Sequence, residues 1–297
     1  MQLAGSSVYV VIVNWERPHD TIECVRSVQA SDVAQLEILV VDNGSTDDSM
    51  QQISQACPGV TLLALPRNLG FAGGYNAGIE CALASGAEFV FILNNDTTIE
   101  PMTIRALVAA PWDVCVPKIL RYHEPGRIWA AGARWRRFPP SVVMLGYGIL
   151  EHGEADGPQW DSPRPLDYAT GCALMIKRRV LKEVGGFDPD FENYMEDYDF
   201  CHRVRAVGYS IGYVPKAKVF HKVSQALGLA SPRWWWYMGR NTVLFYRKGR
   251  RFSSWQLWSF ASWVTLRETV KGNVSCLPHF WRGVKNGLEF LEQKWSE

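Results

Sequence analysis

The stretch Phe89-Val90-Phe91-Ile92-Leu93-Asn94-Asn95-Asp96 decides how the rest of the chain is read. Its five consecutive apolar residues, mostly aromatic or β-branched, have the character of a strand buried on both faces of a parallel sheet. The run stops on two amides and a carboxylate. In open α/β sheets the ligand crevice lies beyond the carboxyl ends of the strands, which puts Asn94, Asn95 and Asp96 at a binding site. A carboxylate there can hold a hard divalent cation, which in turn can hold phosphate oxygens. The competing reading is a strand-to-helix turn, with Asp96 or Thr97 capping a helix opened by Pro101.

Working outward, the same arrangement recurs. Val8 to Val13 reads as a first strand ending at Asn14-Trp15, and after Pro18 the spacing of Ile22, Val25 and Val28 predicts a helix with one buried face. Leu36 to Val41 is a second strand, and it delivers Asp42-Asn43-Gly44-Ser45-Thr46-Asp47 into a loop. In isolation that loop reads as a plain turn, since every residue in it favours turns; following a buried strand in an open α/β sheet, it reads as a ligand loop. Val60 to Leu65 is a third strand, followed by Arg67-Asn68-Leu69-Gly70-Phe71-Ala72-Gly73-Gly74 and a helix to Ala84. Strands alternating with helices at this spacing predict βαβ units and a mostly parallel sheet with helices on both faces.

Beyond residue 110 the pattern loosens. Tyr122 to Gln159 is rich in Gly, Pro and aromatics without clear periodicity. Order returns with the strand Cys172 to Ile176, the Gly185-Gly186-Phe187-Asp188 turn, and Glu196-Asp197-Tyr198-Asp199 leading to Arg203. The last is a helix start, with carboxylates at the positive end of the dipole and Gly208 as its stop. Asp199 and Arg203, four apart, are expected to pair. Tyr209 to Val214 and Ala217 to His221 read as two short strands.

Composition narrows the function classes. The 297 residues are 47% hydrophobic with a formal net charge of +1, enough for a large core and too little charge to coat nucleic acid. Seven cysteines, an odd number with no C-x-x-C pair, suggest reduced thiols and a cytoplasmic setting. No apolar run reaches the ~18 residues of a membrane span. From Pro232 to Glu297 there are eleven Lys/Arg against four Glu, interleaved with Trp234, Trp235, Trp236, Trp255, Trp258 and Trp263. Such helices can lie on an anionic membrane surface or pack their aromatics on the main domain.

These motifs, in this order, resemble family 2 glycosyltransferases of the GT-A fold, enzymes that transfer a sugar from a nucleotide donor with inversion. The Asn94-Asn95-Asp96 variant and Gly185-Gly186-Phe187-Asp188 look most like the rhamnosyltransferase subgroup. The resemblance implies a GT-A domain over residues 1–222 and a C-terminal helical region over 223–297. It implies Asp197 as general base, with Glu196, Trp129, Trp135, Gly171 and Cys172 on the acceptor side. Donor contacts are implied at Asn14, Asp42, Arg67, Gly70, Asn76, Asn94 and Asn95. Asp96 and His221 are implied as ligands of Mg²⁺ or Mn²⁺, with Asn94 standing where the family's metal motif has a carboxylate. The implied partners are a nucleotide-sugar, best matched by dTDP-L-rhamnose, and a saccharide or lipid-linked saccharide acceptor. UDP-galactofuranose or a UDP-N-acetylhexosamine are the alternative donors, and a non-catalytic nucleotide-sugar scaffold is the alternative to an enzyme. A nucleotidyltransferase would carry a glycine-rich phosphate loop near the first strand, and residues 8–20 contain no Gly. A peripheral contact with the inner face of the plasma membrane is expected through the C-terminal region.

Overall fold

The computed structural model describes residues 7–150, 160–223, 231–248 and 252–296. Gln159, Arg250 and Arg251, which entered the sequence reading, lie outside them. Strands β1 (Val8–Asn14), β2 (Leu36–Asp42), β3 (Thr61–Ala64) and β4 (Phe89–Asn94) run parallel, joined by helices α1 (Pro18–Gln29), α2 (Ser49–Ala56) and α3 (Gly70–Ala84). Then follow β5 (Thr97–Ile99), α4 (Thr103–Val108), β6 (Val114–Arg121), β7 (Glu124–Ala130), the hairpin β8 (Ala133–Arg136) and β9 (Ser141–Met144), and β10 (Arg164–Pro165). The domain closes with β11 (Ala173–Lys177), α5 (Arg178–Val184), α6 (Glu196–Ala206) and β12 (Ile211–His221). Helices α7 (Pro232–Arg247), α8 (Ser254–Val270) and α9 (Leu277–Ser296) complete the chain.

Among the described residues one sheet runs in the order β10-β12-β6-β11-β4-β1-β2-β3, with β5 beside β12 and β7 beside β6. β4 is central, and it is apolar as far as Leu93 because it is covered on both sides. Val90 and Ile92 enter a core with Tyr75 and Ile79 of α3, while Phe91 and Leu93 enter a second core with Val25, Ile53 and Ile104. Two antiparallel insertions aim the site. β11 lies between β4 and β6 with Ala173 opposite Leu93, and the Asn94 N–H donates to the Cys172 carbonyl (2.9 Å), so the 171–172 turn arrives at the tip of β4. β12 pairs with β5 so that His221 lies opposite Thr97, next to Asp96.

Three local expectations are revised. Asp96 does not cap a helix: the chain turns at Asn95-Asp96 into β5, and α4 begins only at Thr103. The segments at 209–214 and 217–221 form a single strand, broken in register between Val214 and Lys218 where Pro215 interrupts the ladder. The stretch without periodicity holds β7, β8 and β9, whose short strands pair at irregular register or in a small separate sheet.

The aromatic-basic region packs on the domain. Trp235, Phe245, Tyr246, Leu257, Val264, Phe280 and Leu291 belong to the same buried cluster as Val11, Ile92 and Leu174. Helices α7 and α9 cross closely, and a Cβ at Gly283 would stand 2.0 Å from the Trp236 carbonyl oxygen. No larger residue fits there without separating the helices.

Candidate active site

Asp96 and His221 are brought together by the β5–β12 pairing. Asp96 Oδ1 lies 3.3 Å from His221 Nε2, with both side chains under a tenth exposed. Asp96 Oδ2 and both imidazole nitrogens are buried without a hydrogen-bond partner. Each such group left unsatisfied costs about 1–3 kcal/mol. An oxygen and an imidazole facing each other with spare lone pairs suit a divalent cation that takes its other ligands from phosphate oxygens and water. No group of three or more His, Cys, Asp or Glu side chains is poised for a metal among the described residues. The Trp129 ring meets His221 edge-on at 4.6 Å and fixes the imidazole plane.

Asn94 stands at the end of β4. The Tyr75 hydroxyl, buried beneath it, donates to Asn94 Oδ1 (3.2 Å) and to the Leu93 carbonyl (3.0 Å). Asn94, Trp129, Gly171, Cys172, Glu196, Asp197 and His221 then line one cavity of about 410 Å³.

Asp197 lies in the first turn of α6. Its Oδ2 accepts from the Gly171 N–H (2.8 Å) and its Oδ1 from the Tyr198 N–H (2.8 Å). Burial outweighs these two bonds and pushes the carboxyl up to about 6. A carboxylate poised there can take a proton near neutral pH. Glu196 beside it is buried with Oε2 unpartnered, and burial together with the Asp197 charge raises its pKa well above the usual range. Asp199 forms the expected pair with Arg203 (2.7 Å).

Asp42 ends β2 two strands away, and it does not line that cavity. Its Oδ1 accepts from Asn14 Nδ2 (2.8 Å) and Ser45 Oγ (2.6 Å), and its Oδ2 from the Ser45 N–H (3.0 Å). The network continues: Thr21 Oγ1 donates to Asn14 Oδ1 (2.7 Å), and Asn95 Nδ2 donates to Thr21 Oγ1 (3.1 Å). Four side chains therefore link the tip of β2, through β1 and α1, to the tip of β4, with every donor pointing toward Asp42. Such chains polarise cooperatively.

The family profile described as glycosyl transferase family 2 matches residues 9–185. The chain belongs to this family. A second profile, described as the N-terminal domain of galactosyltransferase, matches residues 151–224. Two relatives cover most of the glycosyltransferase. The N-acetylglucosaminyl-diphospho-decaprenol L-rhamnosyltransferase of Mycobacterium tuberculosis is 28% identical over 272 residues, 82% of each chain. The dTDP-rhamnosyl transferase RfbF of Shigella flexneri is 23% identical over 256 residues, 82% of this chain and 81% of that one. The fold is shared with the mannosyltransferase PcManGT from Pyrobaculum calidifontis, solved with GDP-Man and Mn²⁺: TM-score 0.59, 15% identity, 95% of this chain and 86% of that one.

Several expected contacts of the glycosyltransferase fall elsewhere. Trp135 does not reach the acceptor side: it stacks on Phe252 (5.0 Å, 15°) and packs near Phe245 and Tyr246, joining the hairpin to the C-terminal helices. Asn76 does not face the cleft, because its amide grips the Phe187 backbone from both sides (2.7 and 2.8 Å). The Gly70, Phe71 and Ala72 N–H groups are already bonded to Asn68 Oδ1, Asn193 Oδ1 and the Glu192 carbonyl, so these three amides do not offer themselves to a diphosphate. Arg67 is exposed and does not line the cavity that holds Asp197. The turn at Gly44 (φ 72°) presses on its backbone, where a Cβ would come within 2.4 Å of the Arg67 carbonyl carbon.

Sequence reasoning missed the device that holds Asp197. The loop before α6 carries Glu192, Tyr194 and Met195 at positive φ. Asn241 of α7, fully buried, sets its Nδ2 within hydrogen-bond distance of the carbonyls of Phe191 (2.9 Å), Asn193 (2.7 Å) and Tyr194 (2.8 Å), which share its two N–H donors. Arg240 donates to the Asp190 backbone carbonyl (2.7 Å) and to Asn241 Oδ1 (2.9 Å), which fixes the orientation of that amide. Trp234 and Met238 of the same helix line the cavity. Their i, i+4 spacing was the available signal.

Proposed function

We propose that the enzyme moves L-rhamnose from dTDP-L-rhamnose onto a hydroxyl of a lipid-diphosphate-linked saccharide, with inversion and with help from Mg²⁺ or Mn²⁺. The observation that carries this reading is one cavity in which a carboxylate raised to about 6 shares its walls with Asn94 and His221. The two rhamnosyltransferase relatives support the choice of sugar.

In this reading Asp42 receives the pyrimidine imide N–H, since its carboxylate retains lone-pair capacity beyond its three bonds. Asp96 and His221 would hold the cation, which when bound would supply charge neutralisation for the departing diphosphate. Asp197 takes the acceptor hydroxyl proton as that oxygen attacks the anomeric carbon from the face opposite the diphosphate. One displacement inverts the centre. Asp197 is held in place by the Gly171 and Tyr198 amides, so no reorientation is needed as the proton moves. Glu196, with its spare Oε2 on the same wall, orients the acceptor. The reading extends to a cytoplasmic enzyme resting on the inner face of the plasma membrane. Support comes from the outer face of α8, where Trp255, Trp258, Leu266 and Val270 are exposed. No helix among the described residues is long and apolar enough to cross a membrane.

The test is a donor panel of dTDP-rhamnose, UDP-galactofuranose and UDP-N-acetylglucosamine, with a polyprenyl-diphosphate-linked N-acetylglucosamine acceptor, with and without EDTA. Transfer from dTDP-rhamnose alone, abolished by EDTA, is expected. Preference for a UDP-sugar would overturn the donor assignment, and binding without transfer in every case would leave a scaffold.

A further inference from the structure

The cavity that holds Asp197 continues past the acceptor side. A second groove of about 360 Å³ runs on from it, sharing Met144, Met195, Tyr198, Trp234 and Met238 as common walls. Its extension is lined by Val142 and Val143 of β9 and by Phe260 and Trp263 of α8, all of them partly exposed. Aliphatic, thioether and ring surfaces of this kind offer a saccharide almost no hydrogen bonds, and a sugar moved there would lose its water without compensation. They suit a hydrocarbon.

The charges along the groove have one sign. None of the described residues lining it is acidic, and its two charged members, Arg136 and Arg267, stack on the Trp263 ring at 4.9 and 4.6 Å. Arg267 is paired with Glu268. Among the described residues Arg136 bonds only to the Pro139 carbonyl and the Ser141 hydroxyl, both neutral and both through Nε, so its terminal nitrogens retain donors for an anion. Hydrocarbon walls beside an uncompensated guanidinium, opening from a sugar-transfer cavity, match a molecule with a sugar, a diphosphate and a lipid in that order.

We infer that the α7–α8 groove holds the isoprenoid chain of a lipid-diphosphate acceptor, with its diphosphate at Arg136 and its sugar at Asp197. The placement of the sugar rests on the transfer reading above; the groove's affinity for an isoprenoid diphosphate does not. Tyr198, next to the base and common to both spaces, is the point where sugar gives way to lipid.

Calorimetric titration of the full chain with inorganic, geranyl and farnesyl diphosphate tests this without donor or turnover. Farnesyl diphosphate is expected to bind about tenfold more tightly than geranyl diphosphate, as another isoprene unit about one-third buried in this open groove should give. Inorganic diphosphate should bind weakest. Val143→Asn and Trp263→Ala should erase the chain-length preference, and Arg136→Gln should weaken both isoprenoid diphosphates by a similar factor. Melting temperatures of the variants identify any that fail to fold, and the wild-type chain-length series stands without them. Farnesyl diphosphate binding no better than inorganic diphosphate, or a preference unchanged in folded Val143→Asn and Trp263→Ala proteins, would overturn the inference. Chain-length preference in a protein that transfers no sugar would keep the groove and discard the transfer reading. Transfer to a short-chain soluble acceptor, with no chain-length preference, would do the reverse.

Discussion

Asp197 is held by two backbone amides while burial lifts its carboxyl to about 6. A base must be ionised to act, so the rate should rise with pH through a limb near 6, read from the pH profile of kcat. Asp197→Asn should cut kcat by about 10²–10⁴-fold while nucleotide binding persists. The same shift bears on stability. The folded chain holds this proton more tightly than the unfolded chain, whose value is the ordinary 3.8. That contribution is complete below the unfolded value and is lost as pH rises through about 6. Wild type should therefore gain stability relative to Asp197→Asn on going from pH 7 to pH 4.5, measured by urea unfolding at both values. No such change would mean that the carboxyl is ordinary. Asn94 offers a second test at this scale. Asn94→Asp adds a charge at the proposed cation site while keeping the Tyr75 hydroxyl bond, so half-maximal Mn²⁺ in the transfer assay should fall about tenfold.

At the scale of elements, α7 acts as a splint for the loop that leads into α6. Three carbonyls of that loop end on one amide, Asn241 Nδ2. Asn241→Ala strands them and frees three residues from positive φ, at an expected cost of about 2–4 kcal/mol and a lower kcat at unchanged donor KM. Wild-type kcat in a folded Asn241→Ala protein would show that the loop holds itself. This is also where reading the sequence ran out. Asp42, Asp96 and Asp197 were legible because each follows a local pattern, a buried strand or a helix start, that fixes where the side chain emerges. Trp135 and Asn76 were misplaced because their partners, Phe252 and the Phe187 backbone, are more than a hundred residues away and nothing in the local sequence announces them. The bend at 192–195 was hidden for another reason. Glu, Tyr and Met carry no signal for left-handed backbone, and only a distant helix keeps them there.

At the scale of the molecule, the C-terminal helices serve two surfaces. Their inner side belongs to the same core as the sheet, so removing residues beyond 231 would expose that core rather than isolate a tail. The outer side of α8 is best probed by point changes. Full-length protein should co-sediment with phosphatidylglycerol-rich vesicles and less with phosphatidylcholine alone, and the double variant Trp255→Ser with Trp258→Ser should lose most of that binding. Full-length protein left in the supernatant with both vesicle types would remove the membrane contact.

The whole arrangement depends on strand tips converging so that a cation-bound diphosphate faces Asp197. Anomalous scattering from a crystal grown with Mn²⁺ and dTDP locates the metal directly. A peak bonded to Asp96 and His221, with diphosphate oxygens completing its shell and the Asp197 carboxylate across the same cavity, is the predicted result; Mn²⁺ and diphosphate bound elsewhere, with Asp96 and His221 untouched, would contradict it.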